Sequence, residues 1–211
     1  MEVTYIKRFI VAFLFFQLST TSSFFIKAED GGEPVLDVSG KAVRTRVNYF
    51  ILPAGRGNGG GLHVASIRNR TKPLVVSQNA DESALGSSLR FSPVDPKENT
   101  VTLSDDMNIK FTSMVISDSS TVWRINTEVS PQRYLVTVGG VEGNPGIKTL
   151  VNWFRIDKYE DAYKLVYCPG VCNRCRPFCG DIGVLVENGK RVLFVGSDKP
   201  LKVKFHKLRN Y

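Results

Sequence analysis

The stretch YKLVYCPGVCNRCRPFCGDIGVLV, residues 163–186, holds every cysteine of this 211-residue chain. Its two ends, residues 163–167 and 184–186, are short apolar and aromatic runs of the kind that form β-strands. Between them, Cys168, Cys172, Cys175 and Cys179 lie within twelve residues. Thiols this close together form disulfides in an oxidising compartment, so the stretch predicts two strands joined by a cross-linked loop.

The amino-terminal residues indicate export. Lys7 and Arg8 precede an apolar run at 9–18, and small or polar residues follow up to Ala28. A mostly apolar run of ten residues is too short to span a bilayer, which takes about 20, so residues 1–28 are predicted to be a cleaved signal peptide. Cleavage after Ser23 and cleavage after Ala28 both fit. The mature domain, 29–211, is expected to be secreted to the extracellular space or cell wall, with the vacuole as an alternative.

The charge of the chain argues against a nucleic-acid partner. The formal net charge is +8, and removal of residues 1–28 leaves about +6, spread along the sequence. Nucleic-acid binding favours a concentrated basic face with interleaved aromatic residues, which is not evident here. No later segment is long and apolar enough to span a bilayer, so no membrane partner is expected after signal removal.

Hydrophobic residues of the mature chain alternate with a period of two, and Gly, Pro, Asn and Asp separate the runs. No stretch offers a capped amphipathic helix of ten residues or more. The pattern predicts an all-β domain of about eleven or twelve strands, closed as a barrel or sandwich. Similar strands near 49, 102, 153 and 192 suggest threefold repetition. The predicted strands are 49–52, 62–67, 74–76, 101–103, 108–111, 135–138, 153–156, 163–167, 184–186, 192–195 and 201–205.

The four cysteines allow three disulfide pairings, and their spacing does not choose among them. A zinc site is the rival, but exported thiols are oxidised before they can hold zinc. A redox role for the Cys172–Cys175 pair would need a helix amino terminus, whereas this segment is a proline-bounded loop. Two disulfides and no metal are therefore expected.

Catalytic chemistry has little support in the sequence. His63 and His206 are the only histidines, and no Ser/His/Asp set is recognisable. The glycine-rich run at 55–61 lacks the Gly-Lys-Ser/Thr ending of a phosphate-binding loop, so a mobile loop between strands is expected. The chain is predicted to be no enzyme, with no catalytic residue and no cofactor.

Several blocks of sequence resemble, in order, the plant Kunitz-type (soybean trypsin inhibitor) family. The cysteine loop most resembles its miraculin-like branch. The resemblance implies a β-trefoil of twelve strands with pseudo-threefold symmetry. The matching blocks include VLDVSGKAV at 35–43, PLVVSQ at 73–78, NIKF at 108–111, WFRI at 153–156, YKLVYCP at 163–169, CGDIG at 179–183 and PLKVKF at 200–205.

The resemblance also implies a disulfide pattern, in which Cys168 pairs with Cys179 and Cys172 with Cys175. A further bridge that is usual in the family is absent, because Lys72 stands at the position of its first cysteine and residues 114–121 hold none. Asn69 begins the only glycosylation sequon and lies beside this missing bridge.

Inhibitors of this family present an exposed loop, between the fourth and fifth strands, as a substrate that is hardly turned over. A loop already in the extended shape of a cleavage site loses little ordering entropy on binding. Counting back from Phe111 places the primary-specificity position at Lys97, and counting forward from Ser92 gives Asp95. The family's loop-supporting asparagine aligns with Thr45. The predicted inhibitory loop comprises Ser92, Pro93, Val94, Asp95, Pro96, Lys97, Glu98 and Asn99.

The predicted function is inhibition of a serine endopeptidase in plant defence. Lys97 suits the acidic pocket of a trypsin-like enzyme, which would be the partner. The alternative is a miraculin-like binding, storage or defence protein of the same fold without protease inhibition, because a fold does not settle a function. A homodimer also stays open.

Overall fold

The computed structural model describes residues 32–67, 73–114, 116, 119–126 and 133–209. The predicted signal peptide and Asn69 lie outside the described residues. Within them the chain forms twelve strands and one short 3-10 helix at Ile147–Asn152, which confirms the all-β prediction. The strands are β1 Tyr49–Pro53, β2 Leu62–Ala65, β3 Val75–Gln78, β4 Leu89–Pro93, β5 Met107–Phe111, β6 Trp123–Asn126, β7 Tyr134–Val138, β8 Arg155–Tyr159, β9 Ala162–Tyr167, β10 Gly180–Glu187, β11 Lys190–Val195 and β12 Val203–Lys207.

Six of the strands close into a barrel. β1 pairs with β12 and β4, β4 with β5, β8 with β9, and β9 with β12. The remaining gap, between β5 and β8, is joined by a bridge between Met107 and Phe154, whose backbone N–H and C=O groups exchange two hydrogen bonds of 2.9 Å. On the same side of the ring, the Ser104 N–H donates to the Ile156 carbonyl oxygen at 2.9 Å, which adds a second connection across this gap.

The other six strands form three hairpins: β2–β3, β6–β7 and β10–β11. β3 pairs with β7, β7 with β11, and β11 with β3, so the hairpins meet in a triangle. Each consecutive set of four strands thus gives two barrel strands with one hairpin between them. This threefold arrangement is a β-trefoil, as the resemblance implied.

The barrel interior accounts for the two-residue period of the sequence. Tyr49 and Ile51 of β1, Phe91 of β4 and Phe205 of β12 are at most 1% exposed, while the residues between them are half-buried. The rings of Phe91 and Phe205 pack edge to face with centroids 5.6 Å apart, a favoured aromatic geometry. Alternation with one buried face is what a closed β-barrel requires.

One predicted strand is absent. Residues 101–103 form no strand; Thr102 and the neighbouring Thr100 make only isolated bridges, to Pro34 and Arg44. The glycine-rich run at 55–61 lies between β1 and β2, as expected. It packs closely at its end, because a Cβ on Gly61 would lie 2.0 Å from the Leu85 carbonyl oxygen. The glycines there allow two backbone segments to touch.

Candidate functional site

The predicted inhibitory loop leaves the barrel between β4 and β5. Residues 94–99 are all exposed, and Val94 has 39% of its surface accessible. Ser92 and Pro93, predicted as loop residues, belong instead to β4, where Ser92 pairs with Asn108 and Pro93 with Met107. The exposed part of the loop is therefore Val94 to Asn99, and this segment is called the exposed loop below.

The tip of the exposed loop is a hydrogen-bonded turn that begins at Asp95 and ends at Glu98. The Asp95 carboxylate accepts a hydrogen bond from the Lys97 backbone N–H at 2.8 Å, and its carbonyl oxygen accepts one from the Glu98 N–H at 3.1 Å. Aspartate commonly bonds the backbone two residues further on in this way. The extended shape implied by the resemblance is thus wrong for residues 95–98, although the Lys97 side chain is exposed at the turn.

The carboxyl-terminal half of the loop lies against the amino-terminal segment. The Thr45 hydroxyl donates to the Glu98 carbonyl oxygen at 3.0 Å, and the Thr45 N–H donates to the Asn99 carbonyl oxygen at 3.1 Å. One residue earlier, Arg44 forms a bridge with Thr100 and donates from Nη1 to its hydroxyl at 3.1 Å. Thr45 therefore contacts the loop where the resemblance placed the family's supporting asparagine, through its single hydroxyl.

The amino-terminal end of the loop is also tied. The Val94 N–H donates to the Asp106 carbonyl oxygen at 3.1 Å, which extends the β4–β5 ladder by one bond. Below it, the Ser92 hydroxyl and the Lys110 ammonium group each donate to the Glu142 carboxylate at 2.5 Å. The exposed loop is thus held at its amino-terminal end by the barrel and at its carboxyl-terminal end by the amino-terminal segment.

Glu142 belongs to a second loop that lies beside the exposed loop. Burial raises the pKa of its carboxyl, but the hydrogen bonds from Lys110 and Ser92 outweigh this and lower the pKa overall. The buried Asn108 side chain holds the same loop by accepting from the Gly143 N–H at 2.6 Å. A cleft of about 440 Å³ separates the two loops.

The cysteine loop contains two disulfides, Cys168–Cys179 and Cys172–Cys175. This is the nested pairing that the resemblance implied, and it uses all four cysteines of the chain. Inside the loop, the Cys175 N–H donates to the Cys172 carbonyl oxygen at 3.1 Å. Phe178 stacks on Tyr134 of β7 with ring centroids 4.7 Å apart, which fixes the loop against the hairpin layer.

The two histidines lie on different strands, His63 on β2 and His206 on β12. Burial lowers the pKa of both imidazoles. Across the described ranges, no three His, Cys, Asp or Glu side chains are grouped so as to hold a metal ion. The part of the chain that the structure describes contains no helix long and apolar enough to cross a membrane.

Sequence reasoning missed three residues that hold the loops. Asp106 and Glu142 look like ordinary surface carboxylates in the sequence, and Asn108 like any polar strand residue. Their side-chain partners are 32 to 64 residues away along the chain, the longest separation being that between Asp106 and Gly170, so no local pattern reports them. The clearest available signal is the NIKF block, which places Asn108 on a strand beside the loop.

The described residues form a six-stranded barrel capped by three hairpins, which is the β-trefoil fold, and the exposed loop projects from it with both ends held by hydrogen bonds. The family model described as trypsin and protease inhibitor, of the legume Kunitz type, matches residues 35–207. Kunitz trypsin inhibitor 5 of Arabidopsis thaliana is 44% identical over 181 residues, covering 85% of this chain and 88% of that protein. Miraculin of Synsepalum dulcificum is 42% identical over 188 residues, covering 85% and 86% of the two chains.

A solved structure agrees in fold. The Kunitz-type cysteine protease inhibitor from potato is 29% identical and covers 85% of this chain and 100% of its own, with a TM-score of 0.73. The chain belongs to the plant Kunitz-type inhibitor family. Members of this family are protease inhibitors rather than enzymes, in agreement with the prediction that the chain is no enzyme.

Proposed function

We propose that this protein is a secreted inhibitor of a trypsin-like serine endopeptidase and presents Lys97 to the enzyme's specificity pocket. The observation that carries the proposal is the exposed Lys97 on a loop that is bonded to the barrel through Val94 and to Thr45 of the amino-terminal segment through Glu98. A lysine ammonium group complements the acidic pocket of trypsin-like enzymes. The similarity to a trypsin inhibitor at 44% identity supports the same class of target.

The tethers explain how the loop resists being consumed as a substrate. After hydrolysis of the Lys97–Glu98 bond, the new amino terminus at Glu98 would still be held by Thr45 and the Arg44–Thr100 bridge. The new carboxyl terminus would be held through Val94. Both ends would stay close together, so rejoining of the bond competes with release of the cleaved loop.

The Asp95 turn works against tight binding. A protease cleft receives an extended segment, so the hydrogen bonds to the Lys97 and Glu98 N–H groups must open. Neutral hydrogen bonds contribute about 0.5–1.5 kcal/mol each, and bonds to a charged group somewhat more. The proposal therefore predicts inhibition that is weaker than the tethers alone would allow.

The test is a panel of trypsin, chymotrypsin, subtilisin and papain, assayed with the protein from a secretory host. We expect dose-dependent inhibition of trypsin that is lost in Lys97→Ala and retained in Lys199→Ala, which removes an exposed lysine from another loop. Inhibition of papain alone would instead indicate a cysteine protease as the target, as for the potato inhibitor. Equal inhibition of trypsin by the parent and Lys97→Ala would contradict the assignment of Lys97.

Two observations favour a second function. The chain is 42% identical to miraculin, and its loop tip is closed by Asp95 rather than open. A binding, storage or defence protein of this fold without protease inhibition would inhibit none of the four enzymes. The same panel therefore separates the two functions.

A further inference from the structure

Asp106 joins two loops that are far apart in the sequence. Its side chain is only 9% exposed. The carboxylate accepts hydrogen bonds from Arg155 Nε at 2.8 Å, from Arg155 Nη2 at 3.4 Å, and from the Gly170 backbone N–H at 2.7 Å. Charged hydrogen bonds of this kind are about twice as strong as neutral ones, so the Asp106 side chain is firmly held.

The same residue bonds the exposed loop through its main chain. Its carbonyl oxygen accepts the hydrogen bond from Val94, the first residue of the exposed loop. The next residue, Met107, is fixed on both sides, by Pro93 in the β4–β5 ladder and by Phe154, the residue just before β8. Asp106 therefore stands where the regular ladder ends and the exposed loop begins.

Gly170 allows the cysteine loop to approach this point. A Cβ on Gly170 would lie 2.5 Å from Arg155 Nη2 and 3.2 Å from Asp106 Oδ2, so a side chain there would push the Asp106–Arg155 pair apart. Gly170 follows Cys168 by two residues, and the Cys168–Cys179 disulfide closes the loop that contains it. The cross-linked loop is thereby seated on the ion pair.

We propose that the cysteine loop buttresses the exposed loop through Asp106, which acts as a positioning residue for inhibition. This inference rests on the proposed function, because it states what holds the loop that carries Lys97. The Gly170 N–H and the Arg155 guanidinium fix the Asp106 carboxylate, and the Asp106 carbonyl oxygen fixes Val94. Loss of the carboxylate frees the Asp106 backbone and, with it, the amino-terminal end of the exposed loop.

Asp106→Asn tests this with little change in size. One amide group cannot accept from both Arg155 and Gly170 in the same way, because its NH₂ half faces a donor. We expect amide hydrogen exchange of Val94 to speed up about tenfold and the inhibition constant for trypsin to rise about tenfold, each equivalent to about 1.4 kcal/mol. Gly170→Ala disturbs the same contact from the cysteine loop. It should also speed up the exchange of Val94 and raise the inhibition constant.

Asp181→Asn is the matched control. The Asp181 carboxylate accepts from the Lys164 ammonium group at 2.8 Å in a half-buried ion pair, and it has no contact with the exposed loop. The Asp181→Asn substitution should lower the melting temperature without changing the amide hydrogen exchange of Val94. This separates positioning of the loop from a general loss of stability.

The outcomes distinguish this inference from the proposed function. Faster exchange at Val94 with weaker inhibition supports the buttress. Unchanged Val94 exchange in Asp106→Asn, or an equal effect of Asp181→Asn, overturns it even where the parent inhibits trypsin. If the parent inhibits no protease, the proposed function fails, and the buttress to the loop still stands or falls on the exchange of Val94.

Discussion

The Thr45 hydroxyl donates a hydrogen bond to the main-chain carbonyl oxygen of Glu98, with 3.0 Å between the two oxygens. Glu98 follows Lys97, so this bond holds the chain just beyond the proposed cleavage site. The hydroxyl is a single donor, whereas the family's asparagine at this position has an amide with two N–H donors and an acceptor. The strength with which the loop is held should therefore depend on the side chain at position 45.

Thr45→Val should weaken inhibition of trypsin by about two- to tenfold, because it removes one neutral hydrogen bond while keeping the shape of the side chain. Thr45→Ser keeps the hydroxyl and serves as the control, and Thr45→Asn should tighten inhibition by adding donors. Inhibition constants from competition with a small chromogenic substrate measure all three. A Thr45→Val protein as potent as the parent would show that Glu98 is held by other contacts.

Asp95→Ala should strengthen inhibition of trypsin by about tenfold or more, because one hydrogen bond to a charged group contributes about 1.5–3 kcal/mol. The substitution removes the carboxylate that closes the turn onto the Lys97 N–H, and it also removes a negative charge near a side chain that enters an acidic pocket. The loop then reaches the extended shape at lower cost.

Asp198→Ala is the control for charge alone, since Asp198 is an exposed acidic residue in a different loop. It should leave the inhibition constant nearly unchanged. Weaker inhibition by Asp95→Ala would mean that the turn prepares the loop for binding rather than opposing it.

Removal of the two disulfides should have unequal effects. A disulfide stabilises mainly by restricting the unfolded chain, and the effect grows with the size of the closed loop. The Cys168–Cys179 bridge spans eleven residues of separation and Cys172–Cys175 only three, so a Cys168→Ser/Cys179→Ser protein should lose more stability, about 2–4 kcal/mol. Urea unfolding measures the difference, and thiol titration of the denatured parent should find no free thiol. An equal loss from either pair would contradict this account.

Stability should fall as the pH drops below the ordinary pKa of histidine. Burial lowers the pKa values of His63 and His206 from the usual 6.5, so the unfolded chain takes up protons before the folded protein does. The contribution of the two neutral histidines to the free energy of unfolding is therefore complete above about pH 6.5 and declines below it. The melting temperature should be lower at about pH 5.5 than at about pH 7.5, and a His63→Gln/His206→Gln protein should show a smaller difference. An equal difference in both proteins would assign the pH effect to other groups.

The two-residue period allowed most of the barrel to be predicted, because Tyr49, Ile51 and Phe205 alternate with half-buried neighbours on strands whose inner face is closed. Strands β4 and β6 were not predicted from periodicity. β4 alternates in the same way but has only two buried residues, Leu89 and Phe91, and ends in proline, and β6 is only four residues long. Residues 101–103 were predicted as a strand because apolar residues alternate there. Val101 is indeed buried, but it lies in irregular backbone rather than in a strand.

The candidate site was only partly predictable. Lys97 and Thr45 follow from the resemblance, and the structure places Thr45 in contact with the loop. The turn at Asp95 could have been predicted, because the sequence Asp-Pro favours such a turn. The family resemblance implied an extended loop instead. Asp106 and Gly170 are 64 residues apart, and only the threefold closure of the barrel brings them together.

The most direct test of the central claim is the ratio of the inhibition constants for trypsin and chymotrypsin in Lys97→Phe. If Lys97 enters the specificity pocket, an aromatic side chain should weaken trypsin inhibition by at least about 100-fold and create inhibition of chymotrypsin, whose pocket is apolar. The fold should be unaffected, because the side chain is exposed. A Lys97→Phe protein that inhibits trypsin as well as the parent does would contradict the account.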